Sequence, residues 1–233
     1  MGWESKSGVL GRIYRLHDEF TGTLNLSCKR RCADCCTRNV TVTSLEGYML
    51  FQHLRRLNRP DLLERIREAR QSPRFQPQIT TNRLATLCID GVEPPDENCD
   101  PRWTPCPLLQ DDECPVYDAR PLGCRCLVST RTCAETGCAE MDPFVLSVNN
   151  LFLQAIEHFD TPGFSGNLTD MLLWLDSGNR SEPTRTDANI PNGLIANQPI
   201  SALLIPQEHR ARIQPILSAL NRIHQPDPAT RST

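Results

Sequence analysis

The sequence predicts an α-rich, irregular fold in which helices flank loop-rich segments built around a cysteine-ligated metal centre. Three observations predict it. Apolar residues recur at helical spacing near both ends of the 233-residue chain, twelve cysteines fall between residues 28 and 138, and seven prolines crowd positions 94–121. The corresponding division is a cysteine-cluster metal-binding domain over 1–140, a helical region over 141–224 and a flexible tail over 225–233.

Val9, Ile13, Leu16 and Phe20 place one apolar face on a helix over 9–20. Val40 and Val42 alternate as in a short strand. Thr43 and Glu46 then form a Ser/Thr-x-x-Glu capping box, which starts a helix running to about residue 57. Capping is a sufficient structural role for Glu46. Pro60 breaks that helix and opens another through DLLERIREARQ. Between 88 and 140 eight cysteines accompany the prolines, so regular structure is short and little apolar surface is available for packing. A metal centre is the economical cross-link, because binding a metal contributes folding free energy directly. Beyond Cys138, Phe144, Val148, Leu151, Phe152, Ala155 and Phe159 share a helical face, and NLTDMLLWLDSG reads as a helix ended by Gly178. PQEHRARIQPILSALNRI is a final helix with Pro215 as an expected kink. QPDPATRST is a loose end.

Composition narrows the function. A net charge of −3 argues against nucleic-acid binding, and no stretch approaches the length of a membrane span. The N-terminal residues carry no apolar signal core, so the expected compartment is the cytoplasm, where thiols ligate metal or do redox chemistry and do not form disulfides. A protein partner is compatible with this composition but nothing specifies one. Nucleophile triads, phosphate loops and dinucleotide-binding glycine motifs are not recognisable, and no catalytic residue is assigned.

Cys28, Cys32, Cys35 and Cys36 form the first cysteine group. A Cys-x2-Cys turn lets two thiolates converge on one metal while nearby amides donate to the sulfurs. Side chains of the adjacent pair Cys35–Cys36 diverge, so the two suit different metals or roles. Cys106, Cys114, Cys124 and Cys126 form the second group, followed by Cys133 and Cys138 and preceded by Cys88 and Cys99. Together the groups hold more thiols than one tetrahedral site or one cubane needs. The spares suit a second metal or simply buried thiols. All five histidines lie outside the cysteine motifs, which favours an all-sulfur set, iron–sulfur or zinc. Arg30, Arg31, Arg120 and Arg125 are placed to offset the net negative charge of such a centre, and Tyr117 is read as packing.

The order Cys-x3-Cys-x2-Cys-Cys, a Val-Thr-x-x-Glu helix start, Cys-Pro-x-Leu, Cys-x-Val-Tyr-x-x-Arg-Pro and a final Cys-Arg resembles the YkgJ-type cysteine cluster family over residues 28–126. That family is described as zinc- or iron-chelating, and a related cluster occurs in flagellin lysine N-methylases. The gap after Cys28 is one residue longer than usual. The resemblance implies that Cys28, Cys32, Cys35, Cys36, Cys106, Cys114 and Cys124 are metal ligands; Cys126 lies outside the family pattern and completes the candidate set. The single clean Cys-x2-Cys and the methylase resemblance favour a [4Fe–4S] cluster slightly over zinc. An S-adenosylmethionine-dependent protein methyltransferase and a thiol redox sensor or metal chaperone are the rival readings.

Overall fold

In the computed structural model the described residues are 2–97, 104–179 and 190–224. Helix α1 (Trp3–Thr21) begins earlier than the apolar spacing predicts, and the face it buries is rotated. Trp3, Leu10, Ile13, Tyr14 and His17 are enclosed, whereas Val9, Leu16 and Phe20 only border the core. The anchor is Trp3, whose ring lies 4.7 Å from that of Tyr48 and 6.3 Å from that of Trp174.

Strand β1 (Thr41–Thr43) leads directly into α2 (Ser44–Arg56) through the expected capping box, with Thr43 and Glu46 each accepting from the other's backbone amide. Helix α3 (Pro60–Glu68) starts on its proline. Helix α4 (Thr81–Asp90) is an addition to the predicted elements; Thr80 caps it at one end and left-handed Gly91 closes it at the other. Polar contacts dock it alongside buried Ala85 and Leu87. The buried Asn82 side chain donates to the Gln154 and Gln198 carbonyls at 3.2 and 2.7 Å, and its backbone amide donates to Glu157 at 2.8 Å.

Within the cysteine-rich stretch the helices are single turns, α5 (Leu122–Arg125) and α6 (Cys133–Thr136). After them come α7 (Pro143–Phe159), β2 (Phe164–Asn167), α8 (Leu168–Asp176), β3 (Leu194–Ala196) and α9 (Arg210–His224), which contains Pro215. The three strands form an antiparallel sheet in the order β1-β2-β3, with Val42 opposite Gly166 and Gly166 opposite Leu194. Each of β1 and β2 runs straight into a helix, and those helices, α2 and α8, pack on one another. Gly47 permits that approach, because a Cβ there would collide with Met171.

One hydrophobic core contains side chains from α1, α2, α7, α8 and α9, so elements on both sides of residue 140 share it. Leu108, Val116 and Leu122 are also fully buried in it. This corrects the expectation of a segment too poor in apolar burial to pack: three well-spaced side chains, each worth roughly 1.5–3 kcal/mol, tether the loops between them. The 225–233 tail lies outside the described residues. Among the described residues, no helix is long and apolar enough to cross a membrane.

The join between the two strand–helix units contains a buried acid. Asp160 accepts from the Ser44 hydroxyl at 2.6 Å, the Leu45 amide at 3.0 Å and the Asn197 side-chain amide at 3.1 Å. Its Oδ1 has no hydrogen-bond partner. Burial pushes its carboxyl up to about 7 from the ordinary 3.8, against the pull of the Ser44 and Leu45 hydrogen bonds and the charge of Lys6. The native state therefore holds this proton more tightly than the unfolded chain does. Its stabilising contribution is complete below pH 3.8 and is lost as pH rises through about 7. Asp160→Asn imitates the protonated form. Relative to the native chain, the variant should gain on the order of 1–3 kcal/mol between pH 5 and pH 8 in denaturant unfolding. A pH-independent difference would contradict this assignment.

Candidate metal centre

Three chain segments build one cysteine-lined cavity. The loop after α1 carries Cys28 to Cys36 and is stitched to the 104–106 segment by a β-bridge between Thr37 and Pro105. The Cys106 amide donates to the Cys36 carbonyl at 2.8 Å and the Arg38 amide to the Thr104 carbonyl at 3.0 Å. These bonds set Cys36 beside Cys106. The chain then reverses at Asp111-Asp112, both at positive φ (48° and 59°), between reciprocal backbone bonds of 2.9 and 2.8 Å joining Gln110 and Glu113. That turn returns Cys114 toward Cys106, and buried Val116 pins it.

Cys124 arrives on α5, which is fixed from three directions. The Leu122 amide donates to Glu46 Oε1 at 2.8 Å, the Leu122 side chain fills the core, and Gly123 lies so close to β1 that a Cβ would meet the Thr41 carbonyl oxygen at 2.8 Å. Glu46 thus does more than the capping role the sequence suggests. Its buried carboxylate also accepts from the Tyr14 hydroxyl at 2.8 Å, so it joins α1, α2 and α5 at one point.

The resulting cavity, about 70 Å³, is lined by Cys28, Cys32, Cys35, Cys36, Cys106, Cys114 and Cys124. Four of these form an inner group. Ionised Cys36 would be opposed by Cys106, Cys114 and Cys124; Cys124 by Cys106 and Cys114; and Cys106 by Cys114, so every pair is within electrostatic reach. Burial pushes the Cys106 thiol up to about 11 and raises Cys114 and Cys124 as well. Hydrogen bonds from the Leu108 and Leu109 amides to Cys106, and from the Val116 amide to Cys114, act the other way. Amides aimed at sulfur in this fashion stabilise thiolates and metal-bound sulfur alike.

Cys35 and Cys36 share a hydrogen bond that splits them: it lowers Cys36, and it raises Cys35 together with burial. Among the described residues, no three cysteine, histidine, aspartate or glutamate side chains are close enough, as placed, to hold one metal ion. None of the described cysteines is in a disulfide.

Cys126 is not brought to the cavity. It is buried in the hydrophobic core, with its sulfur 4.0 Å from His17 Nε2, and burial raises its thiol. Cys88 and Cys138 are exposed, and Cys99 lies outside the described residues.

The four arginines separate in the same way. Arg120 lines the cavity, stacks 3.6 Å from the Tyr117 ring centroid, and its charge favours ionised Cys35, Cys114 and Cys124. Arg31 also lines it and pairs with Glu113 at 3.2 Å. Arg30 pairs with exposed Asp118. Arg125 turns away, gripping both Asp18 oxygens at 2.9 and 2.8 Å and lying over the Tyr14 ring, so its role is to brace α5 against α1. Tyr117 packs between Arg30 and Arg120, which gives the packing residue a specific task. Comparison of the chain with protein-family models, curated proteins and solved structures produced no match.

Proposed function

We propose that this chain is a metal-binding protein whose cavity thiols hold zinc or an iron–sulfur cluster as thiolates. The observation that carries the proposal is the inner group. Cys36, Cys106, Cys114 and Cys124 come from three separated stretches of sequence, yet line one cavity, with amides donating to Cys106 and Cys114 and the guanidinium of Arg120 alongside. Four soft sulfur donors with no histidine among them fit a tetrathiolate zinc ion or a [4Fe–4S] cluster. The resemblance to YkgJ-type cysteine clusters supports the same chemistry. Bringing the sulfurs to ligand distance requires side-chain rotation, and loading must expel protons from thiols that burial keeps protonated. Metal affinity therefore rises with pH.

The bound group would supply either a rigid cross-link between the 28–38, 104–120 and α5 segments or a site for one-electron transfer. Arg120 would balance its charge, and Glu46 would hold α5 in place. Serine substitution with metal quantification tests this. Cys36→Ser, Cys106→Ser, Cys114→Ser or Cys124→Ser should each lower metal content at the inner group at least about fivefold, because a hydroxyl is a poor replacement for thiolate. Cys126→Ser should retain metal and lose on the order of 1 kcal/mol of stability through burial of a hydroxyl in the core. Full metal retention in all four inner variants would overturn the reading.

The hydrogen bond between Cys35 and Cys36 favours a second, compatible reading as a thiol redox sensor. It predicts that Cys36 is the first of the cavity thiols alkylated in the metal-free chain.

A further inference from the structure

We propose that the cysteine-lined cavity holds two metal centres and that Cys133, from outside the cavity's own lining, completes the second with Cys28, Cys32 and Cys35. This deepens the thiolate reading above and depends on it.

Seven cavity cysteines are too many for one tetrathiolate site, and the backbone divides them. The inner four are organised by the Thr37–Pro105 bridge and α5. Cys28 is held elsewhere, against residues 129–130. The Ser27 amide donates to the Ser129 carbonyl at 2.9 Å, the Ser27 hydroxyl to the Thr130 carbonyl at 2.9 Å, and the Ser129 amide to the Cys28 sulfur at 3.2 Å.

Residues 129–140 close into a small lobe over the same spot. The Thr130 amide donates to the Glu140 carbonyl at 3.0 Å, and the Ser129 hydroxyl accepts from the Glu140 amide at 2.9 Å while donating to the Arg131 carbonyl at 2.6 Å. Cys133 opens α6 inside this lobe. Cys28 is within electrostatic reach of Cys32, Cys35 and Cys133, and Cys32 of Cys35 and Cys133. Cys35 sits at the seam, bonded to Cys36 and also reached by Cys124.

Cations line the same cavity: Arg120, which favours ionised Cys35, Cys114 and Cys124, together with Lys29 and Arg31. The vicinal pair Cys35–Cys36 sends one thiol to each centre. Four thiols with no histidine among them suit a mononuclear soft divalent cation such as zinc.

Anaerobic titration of the full, reduced, metal-stripped chain with Co²⁺ tests this, read by thiolate-to-cobalt absorption and native mass spectrometry. The chain should take about two equivalents, and Cys133→Ser and Cys28→Ser about one each, with the inner absorption kept. Cys114→Ser should also take about one, through the outer group. Far-UV circular dichroism confirms that each variant is folded. About one equivalent in the native chain, unchanged in Cys133→Ser but lost in Cys114→Ser, would refute the second centre and leave the thiolate reading standing. Loss of all cobalt in Cys133→Ser would show one merged centre and also refute it. No cobalt in the native chain would sink both.

Discussion

Replacing Glu46 with alanine should destabilise the chain by about 4 kcal/mol or more, several times the roughly 1 kcal/mol expected from loss of a helix cap. The carboxylate is buried and accepts four hydrogen bonds: from the Tyr14 hydroxyl and the Leu122 amide at 2.8 Å each, and from the Thr43 amide and hydroxyl at 3.0 and 3.1 Å. Truncation leaves those donors in an enclosed space, each costing on the order of 1–3 kcal/mol if unsatisfied. Leu54→Ala, a cavity in the core face of the same helix, is the proper comparison because it should cost a similar 2–5 kcal/mol. Only Glu46→Ala releases the Leu122 amide at the start of α5, so it alone should also lower metal content. Urea denaturation combined with metal analysis separates the two effects. A loss near 1 kcal/mol with metal unchanged would return Glu46 to simple capping.

Removing the metal should make the 28–38 loop at least about tenfold more sensitive to trypsin while leaving α7 and α8 intact. Arg30 and Arg31 lie in this loop with exposed side chains, and Arg31 has a positive φ of 68°, a conformation that non-glycine residues rarely keep without external support. Few backbone bonds hold the segment between Cys28 and Cys35. The 104–129 stretch should open later, since Leu108, Val116 and Leu122 anchor it in the core. Chelator-treated and native chains cut at equal rates would show that packing alone orders the loop.

Most of the cysteine lining of the cavity was legible from residue types, because short spacings keep cysteines of one group near each other whatever the fold. Seven of the eight candidate cysteines line one cavity. The eighth, Cys126, parts from them for a local reason. Cys124 is on the helical turn and Cys126 caps it, and residues two apart on a helix do not share a face. The spacing Cys-x-Cys carries that information only once α5 is known to be helical.

Cys133 was visible as a spare thiol, but its proximity to Cys28 was not, since it depends on hydrogen bonds between residues 27–28 and 129–140 that leave no periodic signal. In the fold, the capping box at Thr43 and the apolar face of α7 were plain. Strands β2 and β3 were not, being four and three residues long, with β2 reading Phe-Ser-Gly-Asn. Helix α4 escaped because its buried apolar residues are only Ala85 and Leu87, and the contact between Asn82 and Glu157 completes its attachment to α7. Burial rotated α1 by adding Trp3 to its inner face, a choice made by Tyr48 and Trp174, far away in sequence.

Metal binding by the cavity thiolates is decided by metal and acid-labile sulfide analysis of anaerobically purified, folded chain, together with its visible spectrum. At least about one equivalent of zinc without colour is expected, or iron with matching sulfide and broad visible absorption. A folded chain carrying less than about 0.1 equivalent of any transition metal, with its cavity thiols freely titratable and no metal taken up on reconstitution, would contradict it.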